Sequence, residues 1–271
     1  MPELPEVETT VRGLVPVLEG RRLVSVEARR ADLRRAFPAD LRQRLTGATV
    51  TGLARRAKYG LIDTDRGDTL VFHLGMSGRW RIDPAELGAH DHFLLETDEG
   101  RRAALNDPRR FGSLDLVATS KLEALPAFAA MGPEPLGPEF TSAYLLEALA
   151  GRSAPIKAML LDQRIVAGLG NIYVCEALHM ARIAPARAAG RISRPRLERL
   201  VEAIKAVLLA AIEAGGSSLR DYARPSGELG YFSKQWLVYG REGEACRCGS
   251  PVRRRVDSGR STFFCSRCQR S

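Results

Sequence analysis

The hydrophobic pattern changes period twice along this chain, and those changes limit the fold more than any other feature. Between positions 23 and 116 the apolar residues fall in short alternating runs, at 23–26, 49–51, 61–63, 69–72, 92–95 and 113–116. Gly, Asp and Pro punctuate these runs, and period two with turn residues between predicts a β-sandwich or barrel. Ahead of them, residues 3–18 place Val7, Val11, Leu14, Val15 and Leu18 at helical spacing with Pro5 near the start, which predicts a helix packed on the sheets. After a Pro- and Gly-rich stretch at 131–138 the period becomes helical, over 141–150, 155–163, 171–181 and a long amphipathic run at 193–214. Ser193 is placed to cap that last helix and Gly215-Gly216 to stop it. The fold class expected is α+β, with an N-terminal β-sandwich flanked by helices and a helical C-terminal part.

Charge narrows the partners. The chain carries 41 Lys+Arg against 32 Asp+Glu, a net charge of +9. A polyanion is the natural partner, since each phosphate neutralised releases counterions and adds affinity independent of sequence. Only five of the 41 basic residues are lysines, so part of the excess is a general preference for arginine. The same scarcity makes Lys58 conspicuous. Hydrophobic residues at 45% and charged residues at 27% fit a globular protein, and no apolar run approaches the ~18 residues of a membrane span. The first residues are acidic where a secretory signal is basic. A cytoplasmic, monomeric protein with no membrane partner is expected.

Four of five cysteines, Cys246, Cys248, Cys265 and Cys268, crowd the last 26 residues, while Cys175 sits alone in an apolar helical stretch. Two close pairs supply the tetrahedral thiolate set of a closed structural zinc site, one ion per chain. The second pair has the usual two-residue spacing. The first, Cys246-Arg247-Cys248, is one residue short, and such a knuckle is expected to lose loop amides that normally point at the first sulfur. No histidine lies in the tail as a substitute ligand, so all four cysteines are expected to bind.

Pro2 follows Met1, and a small second residue permits removal of the initiator. The exposed secondary α-amine would have a pKa of about 7.7–8.0 and be partly nucleophilic near neutral pH. Attack on a sugar C1′ would give an iminium, an electron sink that drives phosphate elimination. Glu3 and Glu6 lie beside the amine and could move protons. Taken alone, most N-terminal prolines are plain helix-start residues.

The string Met1-Pro2-Glu3-Leu4-Pro5-Glu6-Val7-Glu8 resembles the N-terminus of the formamidopyrimidine-DNA glycosylases, bacterial enzymes that remove 8-oxoguanine and ring-opened purines. Further matches follow in order: Arg56-Ala57-Lys58-Tyr59, His73-Leu74-Gly75-Met76-Ser77-Gly78, His90-Asp91-His92, Asp107-Pro108-Arg109-Arg110-Phe111-Gly112, Gly132-Pro133-Glu134-Pro135-Leu136, Gly168-Leu169-Gly170-Asn171-Ile172-Tyr173 and Gly230-Tyr231-Phe232. They span essentially the full length.

The resemblance implies a catalytic β-sandwich domain over 1–120, a linker at 121–139, a helix–two-turn–helix domain over 140–236 and a zinc-finger β-hairpin over 237–271. Double-stranded DNA containing oxidised bases would lie between the domains, and 216–236 would be a loop over the flipped base. It implies Pro2 as Schiff-base nucleophile and Glu3 as the acid/base at the sugar ring oxygen, with Glu6 beside them. Lys58 would assist β-elimination, and Arg260 would contact phosphate and assist the final elimination. Met76, Arg109 and Phe111 would fill the gap left by the extruded nucleotide, with Arg109 donating to the orphaned base. His90, Arg109, Arg152, Lys157 and Asn171 would contact the DNA, Asn171 at a helix N-terminus suited to phosphate.

Two other readings are weighed beside this one. An endonuclease VIII-type enzyme shares the chemistry but prefers oxidised pyrimidines. A non-catalytic zinc-finger DNA-binding protein would keep the basic surface but would not need Pro2, Glu3 and Lys58 together.

Overall fold

The computed structural model describes residues 2–217, 225 and 230–270. Met1 and most of the expected 216–236 loop lie outside the described residues, as does the question of Met1 removal. The chain forms two compact units, residues 1–129 with 214–231, and residues 130–213 with 232–271.

The first unit opens with α1 (Leu4–Leu18), then β1 (Leu23–Ala28), the short α2 (Leu41–Leu45), β2 (Val50–Arg56), β3 (Tyr59–Thr64), β4 (Asp68–His73), β5 (Arg79–Ile82), β6 (Asp91–Thr97), β7 (Arg102–Asn106) and β8 (Ser113–Ala118). The strands form two antiparallel four-stranded sheets, ordered β2-β3-β4-β8 and β1-β6-β7-β5. The inward faces of both sheets and the inner stripe of α1 share one core. In it Trp80 stands edge-on between Phe72 and Phe93, at 5.5 and 6.3 Å, while Val7, Val11, Leu14 and Leu18 come down from the helix. Each such side chain contributes about 1.5–3 kcal/mol by leaving water, so α1 is fixed on the sandwich by its own periodicity. Two strands, β5 and β7, lie outside the six alternating runs. The start of the expected linker is also ordered, as a 3-10 helix (Thr119–Ala124) followed by α3 (Pro126–Ala129).

The second unit holds α4 (Ser142–Ala148), α5 (Ile156–Leu161), α6 (Asn171–Met180), α7 (Arg194–Glu213) and a hairpin of β9 (Arg253–Asp257) and β10 (Arg260–Phe264). Thr141 caps α4 by accepting the Tyr144 amide at 3.1 Å. From Ile172 to His179 every residue of α6 is buried, so it is the central helix of this unit. Amphipathic α7 packs on it, buries Leu200, Ile204 and Leu208 among others, and ends just before Gly215, whose φ is +76°. The hairpin turns at Ser258-Gly259, both at positive φ, the geometry that matches strand twist in a two-residue turn.

Candidate active site and metal site

Pro2 is buried directly ahead of α1, whose N-cap is Glu3. The cap is a reciprocal box in which Oε2 of Glu6 accepts the Glu3 amide at 2.8 Å. The other oxygen of Glu6 accepts the Ser217 amide, also at 2.8 Å, so one carboxylate fixes the chain terminus and the stem of a distant segment together. Beside that stem, a Cβ at Gly230 would stand 2.3 Å from the Gly216 carbonyl oxygen, so only glycine permits the approach. Glu3 and Glu6 are both almost fully buried.

Lys58 sits in the tight turn between β2 and β3, where Ala57 adopts φ +54°, and is 8% exposed. Arg55 reaches from β2 to Glu8 on α1 and to the Ala57 carbonyl, each at 3.0 Å. The turn that carries Lys58 is thereby tied to the helix that starts after Pro2. His73, paired with Tyr59 across β3 and β4, accepts the Gly75 amide on Nδ1 at 3.1 Å. Burial, reinforced by Lys58, holds its pKa down at about 4, so the ring stays neutral.

Met76, Arg109 and Phe111 come together on two loops, and all three side chains are exposed. Asp107, fully buried, organises both loops: its carboxylate accepts the Ser77 hydroxyl at 2.6 Å and the Gly112 amide at 2.8 Å. Ser77 in turn accepts the Arg109 amide at 3.2 Å. Gly75, at φ +61°, brings the first loop against the second, because a Cβ there would meet the Phe111 carbonyl carbon at 2.3 Å. The Arg109 guanidinium lies over the Phe111 ring, 4.8 Å from its centre. Exposed His90 offers its carbonyl to the Asp107 amide at 3.0 Å. Asp107 was not singled out by sequence reasoning, although it opens the Asp107-Pro108-Arg109-Arg110-Phe111-Gly112 motif that carries Arg109 and Phe111.

In the second unit Arg152 is exposed, whereas Lys157 and Asn171 turn inward. The Lys157 ammonium donates to Thr262 Oγ1 at 2.7 Å and to the Ser261 carbonyl at 3.2 Å, and burial lowers its pKa. The Asn171 amide donates to the same carbonyl at 2.8 Å, while its buried Oδ1 has no hydrogen-bond partner among the described residues. Gly170, not Asn171, is the N-cap of α6. Both residues thus hold the strand that begins at Arg260. Arg260 itself is exposed, just past the turn, beside a cleft of about 520 Å³ between α5 and the hairpin.

Another residue missed from sequence is Glu176. Its buried carboxylate accepts the amides of Leu237, Val238 and Tyr239 at 2.8–3.0 Å. Burial raises its pKa against the pull of those three amides. An acid within a helix otherwise buried all round was the available signal.

The four tail cysteines converge, with every pair of sulfurs within 4.8 Å. Cys246 and Cys268 stand 3.9 Å apart and Cys248 and Cys265 3.5 Å, close to the edge of about 3.8 Å in a tetrahedron with Zn–S bonds of about 2.3 Å. The donor set and its spacing fit one divalent, thiophilic ion. Burial raises the Cys246 pKa, and the Cys248 backbone amide pulls against it. The Ser250 amide pulls Cys248 down to about 6, and Cys268, crowded by the other thiols, is pushed up to about 12. Thiols so unequal become equivalent ligands when a cation neutralises them together.

A β-sandwich followed by a helix–two-turn–helix unit and a cysteine-bearing hairpin defines a class, the DNA-lesion glycosylases of this architecture. The family model for the formamidopyrimidine-DNA glycosylase N-terminal domain matches residues 1–114, and that for the formamidopyrimidine-DNA glycosylase H2TH domain matches 131–223. Full-length similarity extends to the formamidopyrimidine-DNA glycosylases of Rhizorhabdus wittichii, 75% identical, and Novosphingobium aromaticivorans, 66% identical, each covering 100% of both chains. Among solved structures the chain is similar to the MutM (Fpg) protein of Thermus thermophilus, with TM-score 0.89 and 41% identity over 99% of this chain and 98% of that one. It is also similar to Lactococcus lactis Fpg in complex with DNA containing an abasic site, with TM-score 0.90 and 36% identity over 100% of both chains. This chain belongs to the formamidopyrimidine-DNA glycosylase family.

Proposed function

We propose that the chain is a base-excision-repair DNA glycosylase that removes oxidised purines, 8-oxoguanine and formamidopyrimidines, from double-stranded DNA and then nicks the strand. The observation that carries this reading is the exposed trio Met76, Arg109 and Phe111 on loops locked by buried Asp107. Apolar side chains held rigidly at a surface match the need to occupy a vacated place in a base stack, where unstacking costs a few kcal/mol. The full-length relatives, formamidopyrimidine-DNA glycosylases, support the same substrate class.

In this reading Met1 is removed and the secondary amine of Pro2 attacks C1′ of the damaged nucleotide. Glu3 gives a proton to the sugar ring oxygen, the base departs, and an iminium forms. Loss of a C2′ proton then expels the 3′ phosphate, and a second elimination expels the 5′ phosphate. Lys58 serves the first elimination and Arg260 the second, as cations close to phosphate leaving groups. Glu6 keeps Pro2, Glu3 and the Ser217 stem in register. His90 and Arg152 contact the phosphate backbone, while Lys157 and Asn171 hold the hairpin that presents Arg260. Cys246, Cys248, Cys265 and Cys268 hold one structural Zn²⁺, which supplies rigidity and takes no part in the chemistry.

Borohydride added to the protein with a duplex carrying 8-oxoguanine opposite cytosine is expected to trap a covalent adduct, mapped to Pro2. A thymine glycol duplex run in parallel distinguishes the pyrimidine-preferring reading. Lesion-independent binding without any adduct would sink the catalytic assignments and leave a DNA-binding protein.

A further inference from the structure

His179 belongs to α6, far in sequence from the cysteine tail, yet its Nε2 lies 3.4 Å from Cys246 Sγ. The ring is 8% exposed, and its Nδ1 has no hydrogen-bond partner among the described residues. Among the described residues the sulfur is therefore the one side-chain hydrogen-bond contact of this imidazole. A polar ring is costly to bury without compensation, so the sulfur contact is what accounts for a histidine at a position an apolar residue would fill. Cys246 is also the ligand with a reason to need an extra donor. It opens the knuckle that is one residue short. A four-thiolate zinc site carries an excess negative charge, and N–H donors outside the ligand set disperse it and orient the ligands. In its neutral form an imidazole has one N–H to give, and the geometry puts Nε2 rather than Nδ1 on the sulfur. Four thiols already complete a tetrahedron, so the ring has no coordination position to take.

We propose that His179 is a positioning residue of the metal site, donating its Nε2–H to the Cys246 thiolate and so replacing, from α6, a donor that the shortened knuckle lacks. The proposal rests on the four-cysteine zinc reading above, and its test separates the two.

Zinc content of the full-length wild-type protein is measured first by mass spectrometry. Zinc release to a chromogenic chelator, and the thiolate-to-metal charge-transfer bands of the cobalt-substituted protein, are then compared for wild type, His179→Phe and His179→Gln. His179→Phe keeps a planar ring and removes the donor, whereas the glutamine side-chain amide can replace Nε2–H. The expected result is one zinc per chain in wild type and a loss of metal affinity in His179→Phe of about 10- to 100-fold, the range for lost outer-shell partners. Its charge-transfer bands should move to lower energy, because a thiolate without its hydrogen bond is a stronger electron donor. His179→Gln should return both readouts most of the way to wild type, which a purely space-filling role would not do. One zinc per chain with wild-type release and spectra in His179→Phe would overturn the inference alone, as would a glutamine variant no better than phenylalanine. Far less than one zinc in wild type would overturn the zinc reading with it.

Discussion

Glu6 and Ser217 are joined by a 2.8 Å hydrogen bond from the Ser217 amide to Oε1 of a carboxylate whose other oxygen holds the Glu3 amide. The N-cap of α1, Glu3, and the stem at Ser217 thus share one anchor. A carboxylate is suited to this, because it only accepts and can serve two amides at once.

Glu6→Gln is expected to destabilise the protein by about 1–3 kcal/mol, the cost of leaving one buried amide facing an NH₂ group. Urea denaturation checks the magnitude. Because Pro2 and Glu3 lose their register with the stem, borohydride trapping on 8-oxoguanine duplexes should fall. Wild-type stability and trapping would show that the anchor is dispensable.

His73 makes stability depend on pH. Its unfolded imidazole titrates near 6.5 and the folded one near 4, chiefly because the ring is buried. Between those values the unfolded chain binds more protons, so stability falls as pH drops through this window and is fully present above it. The amount is on the order of 2–3 kcal/mol between pH 6.5 and 4. Urea midpoints for wild type and His73→Phe, compared at pH 7 and pH 4.5, should converge at the lower value. Parallel pH profiles would exclude His73 as the source.

The main architecture was legible because two physical signals were strong. Apolar alternation marked the strands whose faces are unequal, and the 3.6-residue stripe marked α1 and α7. β5 and β7 were not legible for reasons visible in their residues. Arg79-Trp80-Arg81-Ile82 is a four-residue strand squeezed between Gly78 and Asp83-Pro84. In Arg102–Asn106 two alanines, which favour helices, are buried in the interior of a sheet. The site divided the same way. Residues defined by chemistry at the chain surface, such as Met76, Arg109 and Phe111, could be named from motifs. Asp107 and Glu176 act by accepting backbone amides, and His179 meets Cys246 only after α6 and the tail are folded together. Such partnerships are made by tertiary approach, and spacing along the chain does not announce them.

Gly75→Ala and Gly100→Ala separate backbone strain from site geometry. Both positions have positive φ, +61° and +75°, so each substitution should cost about 1–2 kcal/mol from the left-handed backbone alone. A Cβ at Gly100 meets nothing within 4 Å, whereas at Gly75 it meets the Phe111 backbone at 2.3 Å. Gly75→Ala should therefore push Met76 and Phe111 apart and lose most lesion excision, while Gly100→Ala keeps it. Single-turnover excision on an 8-oxoguanine duplex is the readout, and equal losses in both variants would contradict a specific role for the loop contact.

Lys157 tests how the second unit meets DNA. A lysine that contacts a phosphate directly contributes about 0.9 to the slope of log affinity against log salt, and its removal should flatten that slope by this amount. Here the ammonium is buried and spent on Thr262 and Ser261, so its effect on DNA runs through the hairpin that carries Arg260. Lys157→Met keeps the length of the stem and removes the charge. It leaves the Ser261 carbonyl with the Asn171 amide as its side-chain donor, and the hairpin should loosen. The expected outcome is an unchanged salt slope for undamaged duplex, with slower strand cleavage after base loss as Arg260 moves from its place. Arg260→Gln, by contrast, should reduce both the slope and the cleavage. A slope reduced by about 0.9 in Lys157→Met would mean that the ammonium leaves the hairpin for the phosphate when DNA binds.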